Sequence, residues 1–110
     1  MKLIRCTVQP LKLDEVVDAL EAFDISNLTV TGAGERCGDK VAGVYRGRKY
    51  KIRFLPTSVV DITASDDQVD DIVRTVTNVC SVGPHSSDGR ILVMPVQEWY
   101  TVRTHQKRIA

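Results

Sequence analysis

The chain has 110 residues, enough for one domain with one small core. Apolar residues make up 43% and charged residues 26%, which excludes a disordered chain, and no stretch has the roughly 20 apolar residues of a membrane helix. A net charge of +1 excludes bulk attraction to nucleic acid, and three scattered cysteines (Cys6, Cys37, Cys80) argue against a disulfide framework.

The opening MKLIRC has no apolar run of signal-peptide length, so the expectation is a cytoplasmic protein. Residues 2–8 alternate as a strand, with Ile4, Cys6 and Val8 on one side and Leu3, Arg5 and Thr7 on the other. Pro10 stops it. From Lys12 the period changes: Leu13, Val16, Val17 and Leu20 form one apolar helical stripe, expected to end near Phe23 or Asp24. Asp14 and Glu15 fall in the first turn, where the helix dipole favours anions.

Residues 27–31 predict a second strand, Leu28 and Val30 inward, Thr29 and Thr31 outward. The next stretch, TGAGERCGDKVAGVYRGRKYKIRFLP (31–56), holds seven basic residues against two acidic ones. A connection this long in a small domain is functional or disordered, and it reads as a mobile cationic loop over about 32–56. A third strand covers about 58–64, with Val60, Ile62 and Ala64 inward and Asp61 and Thr63 outward. Ser65-Asp66-Asp67-Gln68 reads as a capping box opening a second helix, whose stripe of Val69, Ile72, Val73 and Val76 runs to about Cys80. SVGPHSSDG (81–89) is a loop, RILVMPV (90–96) a strand apolar on both faces, and 97–110 a tail in which Trp99 and Tyr100 are packing residues.

The order strand, helix, strand, strand, helix, strand is the split β-α-β-β-α-β pattern. The fold class is therefore α+β, ferredoxin-like, with one four-stranded antiparallel sheet and both helices on one face, as a single domain over 1–110. Nothing else in the chain covers the second sheet face, which predicts a homo-oligomer.

Several segments resemble the PII signal-transduction proteins, in order and along nearly the whole chain. They are Lys2 with Pro10-Leu11-Lys12-Leu13-Asp14-Glu15-Val16, then Leu28-Thr29-Val30-Thr31, Tyr45-Arg46-Gly47-Arg48-Lys49-Tyr50 with Phe54-Leu55-Pro56, Asp88-Gly89-Arg90-Ile91, and Val102-Arg103-Thr104. The resemblance implies a homotrimer with adenine-nucleotide clefts between subunits, where ATP and ADP compete. It also implies a T-loop (about 32–56) that docks onto a transporter or enzyme, a B-loop (about 81–90) and a C-terminal segment (about 97–110). It carries nucleotide binding onto Thr29, Asp61, Thr63, Gly83, Asp88, Gly89, Arg90 and Arg103. Gly83 and Gly89 let backbone N–H groups approach phosphate, and Arg90 and Arg103 offer bidentate donors. Asp61 holds the position of a family Glu near the ribose. Partner docking falls to Arg46, Arg48, Lys49 and Tyr50.

The chain also departs from the family pattern. The GAGERCGDK stretch lacks the Gln that helps chelate magnesium and 2-oxoglutarate, and Thr57 replaces the Lys after FLP. The B-loop lysine is lost from the longer VGPHSSDGR, and Thr101 replaces a second C-terminal Arg. Fewer fixed cations favour less phosphate charge, so ADP or AMP should bind at least as well as ATP. These losses resemble the PII-like branch tied to inorganic carbon, which includes carboxysome-associated members. That branch implies bicarbonate as second ligand, with Gly32, Gly34 and Arg36 as its anion site. The alternative is a nitrogen-regulatory PII protein controlling ammonium transport or nitrogen assimilation.

Competing classes fare worse. An RNA-binding module of this topology would carry exposed aromatics on its central strands, and these have none. An enzyme would need paired carboxylates, a Ser-His-Asp set or a Walker lysine. Cys37, Cys80, His85 and His105 lack the local spacing of a zinc site. The expectation is a regulator without resident cofactor, metal or nucleic-acid partner, and without membrane insertion.

Overall fold

The alternation at the amino terminus forms β1 (Lys2–Val8), the strand through which the fold is connected. In the computed structural model, residues 1–25, 27–45, 47–83 and 89–108 are described, with backbone alone at 37–45, 49–53, 106 and 108. A 3-10 turn at Pro10–Lys12 leads into α1 (Leu13–Leu20), followed by β2 (Asn27–Tyr45) and β3 (Arg48–Ala64). A second 3-10 turn (Asp66–Gln68) opens α2 (Val69–Cys80), and β4 (Ile91–Pro95), β5 (Trp99–Thr101) and β6 (Gln106–Arg108) complete the chain. The main sheet has the order β2-β3-β1-β4, with every neighbouring pair antiparallel.

The predicted periodicities decide which face is buried. Ile4, Cys6, Val8, Val60, Ile62 and Ala64 point to the helical side and meet Val16 and Leu20 of α1 and Ile72 and Val76 of α2 in one core. Leu28 and Val30 share that parity, yet they stay 37% and 42% exposed because β2 is the outer strand. On β4, Leu92 and Val93 are both exposed in the single chain, so the expected double cover is not provided by this chain. No helix among the described residues is long and apolar enough to cross a membrane.

The largest difference from expectation lies at 32–56. This stretch is no structureless connection: β2 and β3 pair from Asn27↔Thr63 out to Tyr45↔Arg48, with irregularities between Arg36 and Lys40 and between Val41 and Gly43. Backbone donors and acceptors must be satisfied, and a ladder interrupted at those two places does this along most of an arm that leaves the core. Gly47, at φ 78°, supplies the left-handed residue of the tip. The arm accounts for a radius of gyration of 17.2 Å, against about 13 Å for a compact chain of this length. Arg48 is exposed beside the tip. Arg46 and the side chains of Lys49 and Tyr50, the other proposed docking residues, lie outside the described residues.

Smaller differences have local causes. α1 stops at Leu20, not Phe23, because the chain tightens there: the Phe23 N–H donates to the Leu20 carbonyl at 3.1 Å. Ser65 does not cap through its side chain. The 3-10 turn lets its carbonyl accept from the Gln68 N–H at 3.0 Å, and its hydroxyl donates to the Asp67 carboxylate instead. The tail is a hairpin, β5 against β6. His105 turns it at φ 53°, and the Tyr100 and His105 rings lie 5.4 Å apart.

Candidate functional site

The ladder register lines up the proposed ligand-binding residues on β2 and β3. Thr29 pairs with Asp61 and Asn27 with Thr63, so Thr29, Asp61 and Thr63 share the sheet face opposite the helices. Asp61 is already engaged there. It faces Arg5 across β1, and the Arg5 guanidinium donates to both carboxylate oxygens, Nε–Oδ1 at 2.9 Å and Nη2–Oδ2 at 3.2 Å. Thr63 stands one pair along. Its Oγ1 is shielded from solvent and has no hydrogen-bond partner in the single chain. A buried hydroxyl without a partner is costly, so this atom is open to a hydrogen bond from outside the single chain.

Arg90 is positioned by the sheet end. Its carbonyl accepts from the Thr7 N–H at 2.8 Å, which continues the β1–β4 pairing one step beyond β4. The side chain reaches toward β2, where Nη1 donates to Glu35 Oε1 at 2.9 Å. This pair borders an open groove of about 390 Å³ lined by Thr7, Ala33, Gly34, Glu35, Arg36, Thr57, Val59 and Arg90. A volume above 300 Å³ is in the range of small-molecule sites. Arg36 and Arg90 both line it, and the Arg90 guanidinium meets the Glu35 carboxylate there. Thr57, where the family resemblance leads one to expect Lys, donates its hydroxyl to the Val8 carbonyl at 3.0 Å and pins β3 to the end of β1.

A second, smaller recess of about 100 Å³ sits on the other side of Arg90, between the end of β1, the last turns of α2 and Gly89. It is too small for a nucleotide on its own. Gly83 takes φ 84°, the left-handed conformation that favours glycine, and a Cβ there would lie 3.3 Å from Lys12 Nζ. Lys12 is only 3% exposed, and its ammonium pairs with Glu15 at 3.2 Å beneath the start of this loop.

The structure thus brings Gly34, Arg36 and Arg90 to one groove and Thr29, Asp61 and Thr63 to one face. Gly32 pairs with Ser58 at the base of the arm, with open space where a Cβ would stand. Arg103 is in the β5–β6 turn and lines neither groove of the single chain. Asp88 and His85 lie outside the described residues, as does the side chain of Cys37. Sequence reasoning missed Glu35, Thr7 and Arg5. The signal for Glu35 was present: carrying the outward parity of Thr29 and Thr31 onward reaches position 35, but reading 32–56 as a loop ended the alternation too early.

The cysteines differ in setting. Cys6 is fully buried, and burial pushes its thiol up to about 12, with the charges of Cys80 and Asp61 adding to this. Cys80 borders the small recess, and burial raises its thiol too, against the opposing influence of Lys12. Among the described residues no cluster of three or more His, Cys, Asp or Glu side chains could hold a metal ion.

The family model described as Nitrogen regulatory protein P-II matches residues 1–106. The chain is 36% identical over 107 residues to the nitrogen regulatory protein GlnK of Escherichia coli, covering 94% of this chain and 93% of that one. It is 37% identical over 107 residues to nitrogen regulatory protein P-II 2 of Methanothermobacter thermautotrophicus, covering 94% and 90%. With the nitrogen fixation nifHD region GlnB-like protein 1 of Methanothermococcus thermolithotrophicus it shares 33% over 114 residues, covering 99% and 100%.

Proposed function

The chain belongs to the nitrogen regulatory protein P-II family, and on that premise we propose that it senses adenine nucleotides and reports them to a target protein of nitrogen metabolism through its β2–β3 arm. Membership places it among non-catalytic signal-transduction proteins that form trimers and regulate targets. The curated relatives are nitrogen regulatory proteins, which favours the nitrogen-regulatory alternative over the inorganic-carbon branch with bicarbonate.

One observation carries the reading. Arg90, tied by its own carbonyl to β1, meets the base of the arm in a groove of ligand-sized volume that also holds Arg36. A guanidinium fixed at that junction can bind a phosphate and move the arm in the same act. Arg103 would complete the cleft from a neighbouring subunit, since it lines neither groove of its own chain. The open sheet face would be buried in the same assembly, in the cytoplasm.

The test is a thermal-shift and calorimetric titration of ADP, AMP and ATP on the purified chain, beside a native mass measurement. The expectation is a mass of three chains and micromolar binding, about −7 to −8 kcal/mol, with ADP or AMP at least as tight as ATP. Added bicarbonate that left the ADP affinity unchanged would retire the inorganic-carbon alternative, because coupling between two ligands is reciprocal.

A further inference from the structure

We propose that Glu35 is a built-in competitor for the phosphate seat at Arg90, so that nucleotide binding releases the base of the β2–β3 arm by displacing a carboxylate. The inference rests on the nucleotide reading above and adds how occupancy reaches the arm.

The Glu35 carboxylate accepts from Arg90 Nη1 at 2.9 Å, although the two residues are 55 apart in sequence, Glu35 on β2 and Arg90 just before β4. Among the described residues Glu35 is the sole acid lining the groove, beside Arg36 and Arg90. A carboxylate oxygen and a phosphate oxygen are equivalent acceptors for a guanidinium, so a phosphate arriving at Arg90 competes for the Nη1 donor that Glu35 Oε1 holds. The Arg90 backbone is anchored to Thr7 at 2.8 Å, so its side chain stays rooted at the groove, whereas Glu35 stands on the arm. A shift of the Glu35 carboxylate is therefore the change that reaches the arm. Glu35 sits on β2 one step before the pairing irregularity between Arg36 and Lys40, where the ladder is weakest and a change of twist is least costly.

The pair is partly solvent-exposed, its side chains 62% and 41% accessible, so it is weak enough for a ligand to open. A fully buried pair would lock the site. At this strength the groove discriminates against weak anions while a nucleotide phosphate, anchored by its adenosine, still displaces the carboxylate.

The experiment titrates ADP into wild type, Glu35→Gln, Arg90→Gln and the double variant, and follows amide hydrogen exchange at residues 32–36 and 54–58. Glu35→Gln should bind ADP roughly twofold to fivefold tighter, the range an exposed ion pair can supply. That gain should vanish in the Arg90→Gln background. ADP should speed exchange at the arm base of wild type, and ADP-free Glu35→Gln should already exchange at the raised rate. An unchanged ADP affinity in Glu35→Gln, a gain that persists without Arg90, or an arm base indifferent to both changes would overturn the inference and leave nucleotide sensing standing. Wild type that bound no ADP would overturn both.

Discussion

Arg5 and Asp61 face each other across the β1–β3 ladder and join through two hydrogen bonds, at 2.9 and 3.2 Å, on the sheet face away from the helices. The row continues through Thr29 on one side and Leu92 on the other, so a cation–anion pair sits in the middle of the surface a trimer would enclose. Asp61 is therefore committed within its own chain before any ribose arrives.

This division of labour is measurable. Arg5→Ala and Asp61→Ala should each lower the urea midpoint, and the double variant should lower it by less than the two shifts combined. Asp61→Asn should weaken ADP binding far less than Arg90→Ala does. Equal losses in a calorimetric titration would return Asp61 to the ribose role that the family resemblance assigns to it.

Acid should act late where the chain begins, because a carboxylate held below the ordinary range is among the last to take a proton. The α-ammonium of Met1 hydrogen-bonds the Asp66 carboxylate at 2.9 Å, and that bond, with the charge of the same group and of Lys2, holds Asp66 below the ordinary carboxylate range. A lowered folded-state value contributes stability above the unfolded carboxylate value of about 3.9, and this is lost as pH falls through the folded value. Acetylating the amino terminus should move the Asp66 titration, read by carboxyl carbon NMR, back up toward the ordinary range. An unmoved titration would contradict the pairing.

How much of this was legible in the sequence differs by element. Strand parity on β1 and β3 and the stripes of α1 and α2 put Ile4, Cys6, Val60, Ile62, Val16 and Ile72 in the core correctly, because one face of each element is covered and burial enforces the period. The arm was misread because its glycines and cations resemble a loop, and its pairing is set by a partner strand that local composition does not reveal. Arg90 was singled out through the family resemblance, and Gly34 as part of a glycine-rich stretch suited to a small anion. That Glu35 would neutralise Arg90 depends on strand order, which brings β2 and the start of β4 to one groove from opposite ends of the sequence.

The thiols should separate cleanly. Cys6, fully buried with its thiol pushed up to about 12, should resist a charged disulfide reagent until the chain unfolds. Cys6→Ser would place a hydroxyl in an apolar core and should cost about 1–3 kcal/mol in chemical denaturation. Rapid native-state labelling of Cys6, followed by peptide mass, would show that the core opens where the structure has it closed.

Two positions would report on the proposed nucleotide site, Thr63 with little effect on the fold and Gly83 at some cost to it. Thr63→Val removes an oxygen that has no partner in the single chain, so monomer stability should hold or rise while ADP affinity falls by about tenfold. Gly83→Ala forces a side chain into the left-handed region beside Lys12 Nζ and should cost about 1–2 kcal/mol, with weaker ADP binding as the loop shifts. Fluorescence-monitored unfolding together with an ADP titration separates the two effects.

The most direct measurement is ADP titrated calorimetrically into wild type and into Arg90→Ala, with the oligomer mass recorded on the same samples. The account predicts trimers in both, micromolar ADP binding in wild type, and a loss of tenfold or more in the variant. A wild-type chain that gave no binding heat, or an Arg90→Ala chain that bound ADP as tightly as wild type, would contradict it.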